Sequence, residues 1–293
     1  MLAFLVATPV LDRVATQADR GIVRGVVRSA AYVEVGTFIV ALTARGVPFM
    51  PNGVALTERP ASDGWPVAGT PVRLMPGRIE AGARSVTWPA DRPPTWDPTL
   101  RVAPGTGIAA IRQRAAAILR ARGIDADPNP VALSRAFASS GLETAAHSAG
   151  ASGIALLLRS VATRDAELAG RAVDLLIGRG SGLTPEGDDL LAGAAAVVAA
   201  LAEPAGWQAT EHVGWLGAVR SPSLRRLTTP LSATLLELAT AGKVVEPIHG
   251  LLDLTDAGSR RWAGALHRLE RIGHSTGPAY AAAVGAAALL LEG

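Results

Sequence analysis

Two hydrophobic rhythms divide the chain. Across residues 1–100 the apolar positions fall in short β-branched runs. Ile22–Arg28 alternates, and Tyr32–Thr43 is rich in Val, Ile, Phe and Thr, which predicts strands, with Gly36 as a bulge or bend. Pro51-Asn52-Gly53 reads as a turn and Val54–Thr57 as a short strand after it. Pro71–Leu74 and Ser85–Trp88 are further strands between Pro and Gly punctuation, and Thr8-Pro9 starts one short helix, Pro9–Ala18. Trp88–Pro98 carries four prolines and reads as a linker.

From residue 101 to 293 the apolar positions recur at helical spacing. Ile108–Arg122 turns Ile111, Ile118 and Leu119 inward and is closed by Gly123. Helices follow at Val131–Ser139, Ala151–Ala162 and Ala166–Ile177. Pro185–Leu201 is apolar nearly all round, the mark of a central helix. Further helices are predicted at Pro230–Ala241, Val245–Leu252, Arg260–Ile272 and Pro278–Leu291. The expected fold is α+β: a β-rich N-terminal domain, 1–100, then a mainly α-helical domain, 101–293, with no repeat at solenoid period.

Composition narrows the function. Hydrophobic residues make up 49% of the 293 and charged ones 18%, enough for a core and too few charges for disorder. The low charge also hints at surface buried in an oligomer. The net charge of +3 and a pI near 10.1 invite a nucleic-acid reading. Against it, Lys243 is the only lysine, the arginines are scattered, and no zinc-finger or RNA-recognition signature occurs. Without cysteine there is no disulfide, thiolate catalysis or Cys-ligated zinc. Met1–Val10 is apolar but short and runs into Asp12-Arg13, a poor signal peptide. Leu190–Ala202 is too short to span a bilayer. A protein of the cytoplasm, touching neither membrane nor nucleic acid, is expected.

The most specific stretch is Gly178–Gly193. Thr184-Pro185-Glu186 reads as a helix start with a hydroxyl cap and Pro at the first helical position. Gly178, Gly180 and Gly182 allow positive φ and close approach to a ligand. Free N–H groups and the helix dipole suit an anion there. Neither a Walker loop nor a dinucleotide fingerprint is present. Asp188 and Asp189 point about 100° apart on a helix, so one faces inward and needs a partner. Arg225-Arg226, followed by Thr228, Thr229, Pro230 and Ser232, forms a second helix start, with arginines suited to carboxylate or phosphate. Gly273-His274-Ser275-Thr276-Gly277-Pro278 is a third, with His274 among small polar neighbours. Three such starts predict a pocket of N–H, hydroxyl and carboxylate groups for a small polar substrate. His147, His212, His249 and His267 have no metal-ligand spacing, and no Gly-x-Ser-x-Gly elbow occurs. The chemistry calls for no metal and no cofactor.

Gly180-Ser-Gly-Leu-Thr-Pro-Glu-Gly-Asp-Asp-Leu-Leu-Ala-Gly193, then Thr228-Thr229-Pro-Leu-Ser232 with Ala239-Thr-Ala-Gly242, then Gly273-His-Ser-Thr-Gly277, resemble in order the motifs of the AllH family. Ser29–Tyr32 and Pro51-Asn52-Gly53 extend the resemblance into the β-rich part. It implies a bacterial cytoplasmic subunit of an oxamate carbamoyltransferase in allantoin degradation, with FdrA-type and AllG-type partner subunits. The reaction exchanges oxalurate plus phosphate with oxamate plus carbamoyl phosphate. Two departures set this chain apart: Glu186 stands where the family has a small residue, and Pro278-Ala279-Tyr280 where it tends to have an acid.

On this reading Asp188, Asp189 and His274 are the candidate catalytic residues. Gly180, Gly182, Leu183, Thr184, Gly187, Arg225, Arg226, Thr228, Thr229, Ser232, Ser275 and Asn52 are the candidate substrate-binding ones. The aspartates would accept from an amide nitrogen while N–H groups and arginines hold the anion. The rival readings are a non-catalytic carboxylate-binding or scaffold subunit, and a stand-alone hydrolase or lyase with His274 as base.

Overall fold

The computed structural model describes residues 1–16, 19–61, 64–221, 224–253 and 258–291. The fold is α+β, a β-sheet unit followed by a helical one. By its contacts the chain divides into two compact units, Met1–Pro98 and Thr99–Gly293.

The first unit is one nine-stranded sheet. Its strands are β1 (Ala3–Ala7), β2 (Asp19–Val27), β3 (Ala30–Val35), β4 (Phe38–Thr43), β5 (Gly53–Leu56), β6 (Pro71–Met75), β7 (Arg78–Ala81), β8 (Arg84–Thr87) and β9 (Thr95–Trp96), with helix α1 (Thr8–Thr16) after β1. The order across the sheet is β8-β7-β6-β2-β3-β4-β5-β1-β9. The β4–β5 and β1–β9 pairs are parallel, and the others antiparallel. Val6, Val33, Val40, Val54 and Leu74 anchor its core at 0% exposure.

The sheet corrects several expectations. The run Tyr32–Thr43 is not one bent strand but parts of two, reversed at Gly36 with φ +60. The apolar opening is strand β1, paired with β5 on one side and β9 on the other. Trp88–Pro98 is not a free linker: Trp88 is 5% exposed, Thr95–Trp96 forms β9, and the Trp96 ring lies 5.8 Å from that of Phe49. The expected helix Pro9–Ala18 is α1, and its last two residues, Gln17 and Ala18, lie outside the described residues.

The second unit is helical throughout. Its helices are α2 (Ile108–Ala121), α3 (Pro130–Ala138), α4 (Glu143–Ala146), α5 (Ser148–Thr163), α6 (Ala166–Leu176), α7 (Glu186–Leu201) and α8 (Ala209–Val219). They continue with α9 (Leu224–Leu227), α10 (Pro230–Ala239), α11 (Glu246–Asp253), α12 (Arg260–Glu270) and α13 (Thr276–Leu290). Helix α8 has no counterpart in the hydrophobic pattern, because two glycines and three charged or polar positions blur its period. It is tied down instead by Trp215, fully buried and donating from its indole to Ser160 Oγ at 3.0 Å, and by a Gln208–Glu211 capping box.

At the centre α7 packs along α13, and α13 packs in turn on α2. Both central helices are Ala-rich and buried nearly all round. Small residues let their backbones approach. A Cβ on Gly193 would stand 2.8 Å from Ala283 Cβ and 2.9 Å from the Tyr280 carbonyl oxygen. Gly217 on α8 is exposed, with nothing within 4 Å of the same position.

Two glycine substitutions should therefore act in opposite senses. Gly193→Ala should cost about 1–3 kcal/mol through overpacking. Gly217→Ala should stabilise by about 0.5–1 kcal/mol through helix propensity alone. Urea denaturation of the two variants beside the parent chain checks both signs.

Candidate functional site

Helix α7 begins where the glycine-rich loop ends. Gly178, Gly180 and Gly182 have φ of +68, +106 and +98, the left-handed region that glycine tolerates. The reasons for them differ. A Cβ on Gly178 would lie 2.4 Å from the Leu227 carbonyl oxygen, and one on Gly180 2.7 Å from the Glu186 nitrogen. Those two serve close packing within the protein. At Gly182 nothing lies within 4 Å, so that edge of the loop faces open space. Gly187 is packed as tightly as any: a Cβ there would meet the Leu176 carbonyl oxygen at 2.0 Å.

The expected cap is displaced by one residue. Pro185, not Thr184, holds the N-cap position, with φ −53 and ψ 139. Its carbonyl accepts from the Asp188 and Asp189 N–H groups at 2.9 and 3.2 Å. The Gly187 N–H donates to the Arg179 carbonyl at 2.8 Å. These first-turn donors are therefore engaged within the chain. Thr184 is released from capping, and its hydroxyl meets that of Thr276 at 2.7 Å, joining the starts of α7 and α13.

The first turn of α7 buries three carboxylates, Glu186 and Asp188 at 2% exposure and Asp189 at 4%. Each meets a different environment. Glu186 Oε2 accepts from the Thr144 N–H at 2.6 Å, so the acid unexpected at this position caps the first turn of α4. Asp188 Oδ1 accepts from the Gly178 N–H at 2.7 Å, and its Oδ2 accepts from the Thr228 hydroxyl. Ser232, 2% exposed on α10, stabilises the same carboxylate by its proximity, yet its hydroxyl makes no hydrogen bond of full geometry. Asp189 faces the Thr276 and Thr184 hydroxyls, and its buried Oδ2 has no hydrogen-bond partner among the described residues.

Burial pushes Asp188 above the usual carboxylate range, and the Thr228 and Gly178 donors pull it partly back. Asp189 is raised well above that range, first by burial and then by the Asp188 charge; Glu186 adds to the rise and the threonine hydroxyls oppose it. Among the described residues, the charges that act on Asp189 are those of Asp188 and Glu186, both carboxylates. Burial, with the Asp189 charge, also raises the Tyr280 phenol.

The second helix start contributes unevenly. Thr229 caps α10 by accepting from the Ser232 N–H at 3.1 Å and donates to the Leu183 carbonyl at 2.6 Å, which ties the loop to α10. Arg225 is turned to Glu237, donating from Nη2 to both carboxylate oxygens at 2.6 Å, so it is committed on its own side of α10. Arg226 is exposed. At the third start His274 is exposed and no described hydrogen bond joins it to the aspartates, while Ser275 holds the N-cap position without a side-chain cap. Asn52 lies in the N-terminal unit, fully buried, with Nδ2 donating to the Ile39 carbonyl at 2.9 Å across the β4–β5 connection.

Residue-level reading therefore missed Thr276, Tyr280 and Glu186 as members of the cluster. Thr276 had a usable signal, a hydroxyl at the first helical position beside the N-cap Ser275. Among the described residues no group of three or more His, Asp or Glu side chains is arranged to hold a metal ion. No helix of the described chain is long and apolar enough to cross a membrane.

A family model described as oxamate carbamoyltransferase subunit AllH matches residues 176–289. Over this stretch the chain is similar to the AllH family. The AllH segment runs from the end of α6 into α13 and contains the carboxylate turn, Thr228, Ser232 and Thr276. The family name implies a subunit of a multi-subunit enzyme. Comparison with curated proteins and with solved structures returned no match.

Asp189 sets a pH dependence of stability. Between the ordinary carboxylate pKa and its raised value, the folded chain holds a proton that the unfolded chain has lost. Stability therefore falls as pH rises through that window. Asp189→Asn is near-isosteric and removes this slope. The variant should gain Tm relative to the parent as pH is raised from acid toward neutral, with the difference vanishing below the unfolded pKa. Thermal melts across pH 4–8 check this. Asp188→Ala should destabilise by about 1–3 kcal/mol at the acid end of that range, because it strands the Gly178 N–H, and by less as pH rises, because the raised Asp188 carboxyl itself loses stability there.

Proposed function

We propose that this protein is an AllH-like subunit of a carbamoyl-transferring enzyme acting on a small carboxylate amide of the oxamate and carbamoyl phosphate type. One observation carries the reading: within the AllH segment, Asp189 holds a buried carboxylate oxygen with no donor among the described residues. A buried acceptor without a donor costs about 1–3 kcal/mol, a cost that an incoming N–H group relieves. The amide nitrogen of a carbamoyl group is such a donor.

The chain's groups then divide by role. Asp188 is held rigidly by Gly178 and Thr228 and orients the turn. Asp189 accepts from the amide nitrogen. For the anionic end, the engaged N–H groups of Gly187, Asp188 and Asp189 are unsuited, and Arg225 is turned to Glu237. The N–H groups along the exposed loop edge at Gly182 and Leu183, with exposed Arg226, are the donors within this unit that fit. Such a site works by positioning and electrostatics and needs no nucleophile of its own. FdrA-type and AllG-type subunits, a cytoplasmic setting and a place in allantoin catabolism are part of the same proposal. His274 has no part in it, since its exposed ring joins neither aspartate.

The alternative is a non-catalytic subunit that holds a small carboxylate amide for its partners. The engagement of Arg225 and of the first-turn N–H groups favours it over a stand-alone hydrolase.

Reconstitution with FdrA-type and AllG-type subunits and assay of carbamoyl transfer to oxamate tests the proposal. Asp189→Asn should lower kcat at least a hundredfold with the complex intact by size-exclusion chromatography. Parent-like turnover in both Asp189→Asn and Asp188→Asn would remove the catalytic assignment and leave the holding role.

A further inference from the structure

The arginines are scattered along the sequence, but folding gathers four of them and a histidine on one helix. Arg260, Arg261, His267 and Arg268 lie on α12, Arg271 holds its C-cap position, and all five are exposed. At about 100° per residue they fall within about 120° of the helix circumference. The opposite face is the apolar one, with Trp262, Ala265, Leu266 and Leu269 buried. Within α12 no acid lies on the stripe. Glu270 stands outside it and is held by Arg122 at 3.0 Å, while Glu246 of α11 reaches Arg268 at 2.8 Å. Arg260, Arg261 and Arg271 enter no ion pair among the described residues.

Folding accounts for only part of the stripe. His267, Arg268 and Arg271 sit at the C-terminal end, where cations complement the helix dipole. Arg260 and Arg261 follow the N-cap Ser259 and occupy the first two helical positions, where the dipole favours acids; the first turn has none. Two cations at a helix start oppose the helix they stand on. What they add is length, about 16 Å of basic surface from Arg260 to Arg271.

The surroundings narrow the class of partner. The stripe lies within the AllH segment, and the family's name is that of an enzyme subunit. The apolar face of α12 is turned inward, so the helix has nothing to insert into a lipid surface. The aromatic rings of the helical unit, Phe137, Trp207, Trp215, Trp262 and Tyr280, are all buried, so the stripe has no stacking platform for bases. Guanidinium groups match planar carboxylates bidentately.

We infer that the α12 stripe is a docking surface for an acidic, carboxylate-rich segment of a partner subunit. The inference rests on the proposed function for there being a partner, and not for any ligand or step of the reaction. It shares no residue with the carboxylate cluster of α7.

Labelled poly-L-glutamate, titrated with the full-length chain and read by fluorescence anisotropy, tests the surface. Binding is expected at low salt and should weaken as salt is raised. The triple variant Arg260→Gln, Arg261→Gln, Arg271→Gln should bind about tenfold more weakly. A control losing the same charge from exposed positions on α3, α5 and α6, Arg135→Gln, Arg159→Gln, Arg171→Gln, should bind as the parent does. Because two cations leave a helix start, the α12 variant should melt no lower than the parent, which separates lost docking from lost folding. Should it melt lower, Arg261→Gln alone decides, by a severalfold weakening. Equal weakening in the α12 variant and the control overturns the inference, since net charge then explains the binding. So does no binding of poly-L-glutamate, or tighter binding of duplex DNA or of phosphatidylserine vesicles by the parent chain. In a complex reconstituted with FdrA-type and AllG-type subunits, the α12 variant should lose a partner subunit on size-exclusion chromatography at physiological salt, and the control should not. Retention of every subunit by the α12 variant overturns the docking role and leaves the transferase reading standing. A parent complex that assembles without turnover does the reverse.

Discussion

The Asp188 carboxylate is the tie on which the site depends. One oxygen accepts from the Gly178 N–H at the start of the glycine loop, and the other from Thr228 ahead of α10. Loop, central helix and second helix start are thereby fixed to one side chain. A carboxylate is a strong acceptor in a partly buried setting, where charge-assisted bonds are worth about twice neutral ones. Further ties follow from this arrangement. With the loop held, Leu183 presents its carbonyl to Thr229, and Thr184 reaches Thr276.

The buried helix pair beneath makes such a turn possible. Helices α7 and α13 are Ala-rich and meet at Gly193, so they offer little side-chain bulk and a close, rigid contact. Three carboxylates in the first turn of a buried helix work against that apolar packing. The helix dipole offsets only about 0.3–1 kcal/mol for each. The rest is met by specific donors for two of them, Thr144 N–H for Glu186 and the Gly178 and Thr228 pair for Asp188.

The α+β division was legible because the two periodicities are long and pure. So was the inward face of α2, where Ile111, Ile118 and Leu119 are all buried. The sheet was harder. In β4 every residue from Ile39 to Thr43 is buried, which erases the alternation that would have separated it from β3. Strand β9 is two residues long among prolines, below what any pattern can register. In the site, the positive φ at Gly178, Gly180 and Gly182 follows from residue type. The fate of Arg225 does not: its partner Glu237 lies on α10, and only the packed helix brings the two together. The shift of the cap from Thr184 to Pro185 is likewise tertiary, since the Thr276 hydroxyl competes for Thr184.

Residues 186, 188 and 189 sit on one helical turn, and successive positions rotate by about 100°, so the three acids face three directions. Glu186 turns to α4, Asp188 to the loop and α10, and Asp189 to α13. The first two directions end in protein donors. The third ends in two hydroxyls, bonded to each other and both stabilising the carboxylate, and leaves one carboxylate oxygen with no hydrogen-bond partner among the described residues. Such a group persists in a well-packed interior only where folding is not the sole demand on it. Asn at this position would keep the shape and lose the charge, so packing gives no reason for Asp over Asn. On the proposed function, what the carboxylate adds is acceptor strength toward an incoming N–H donor.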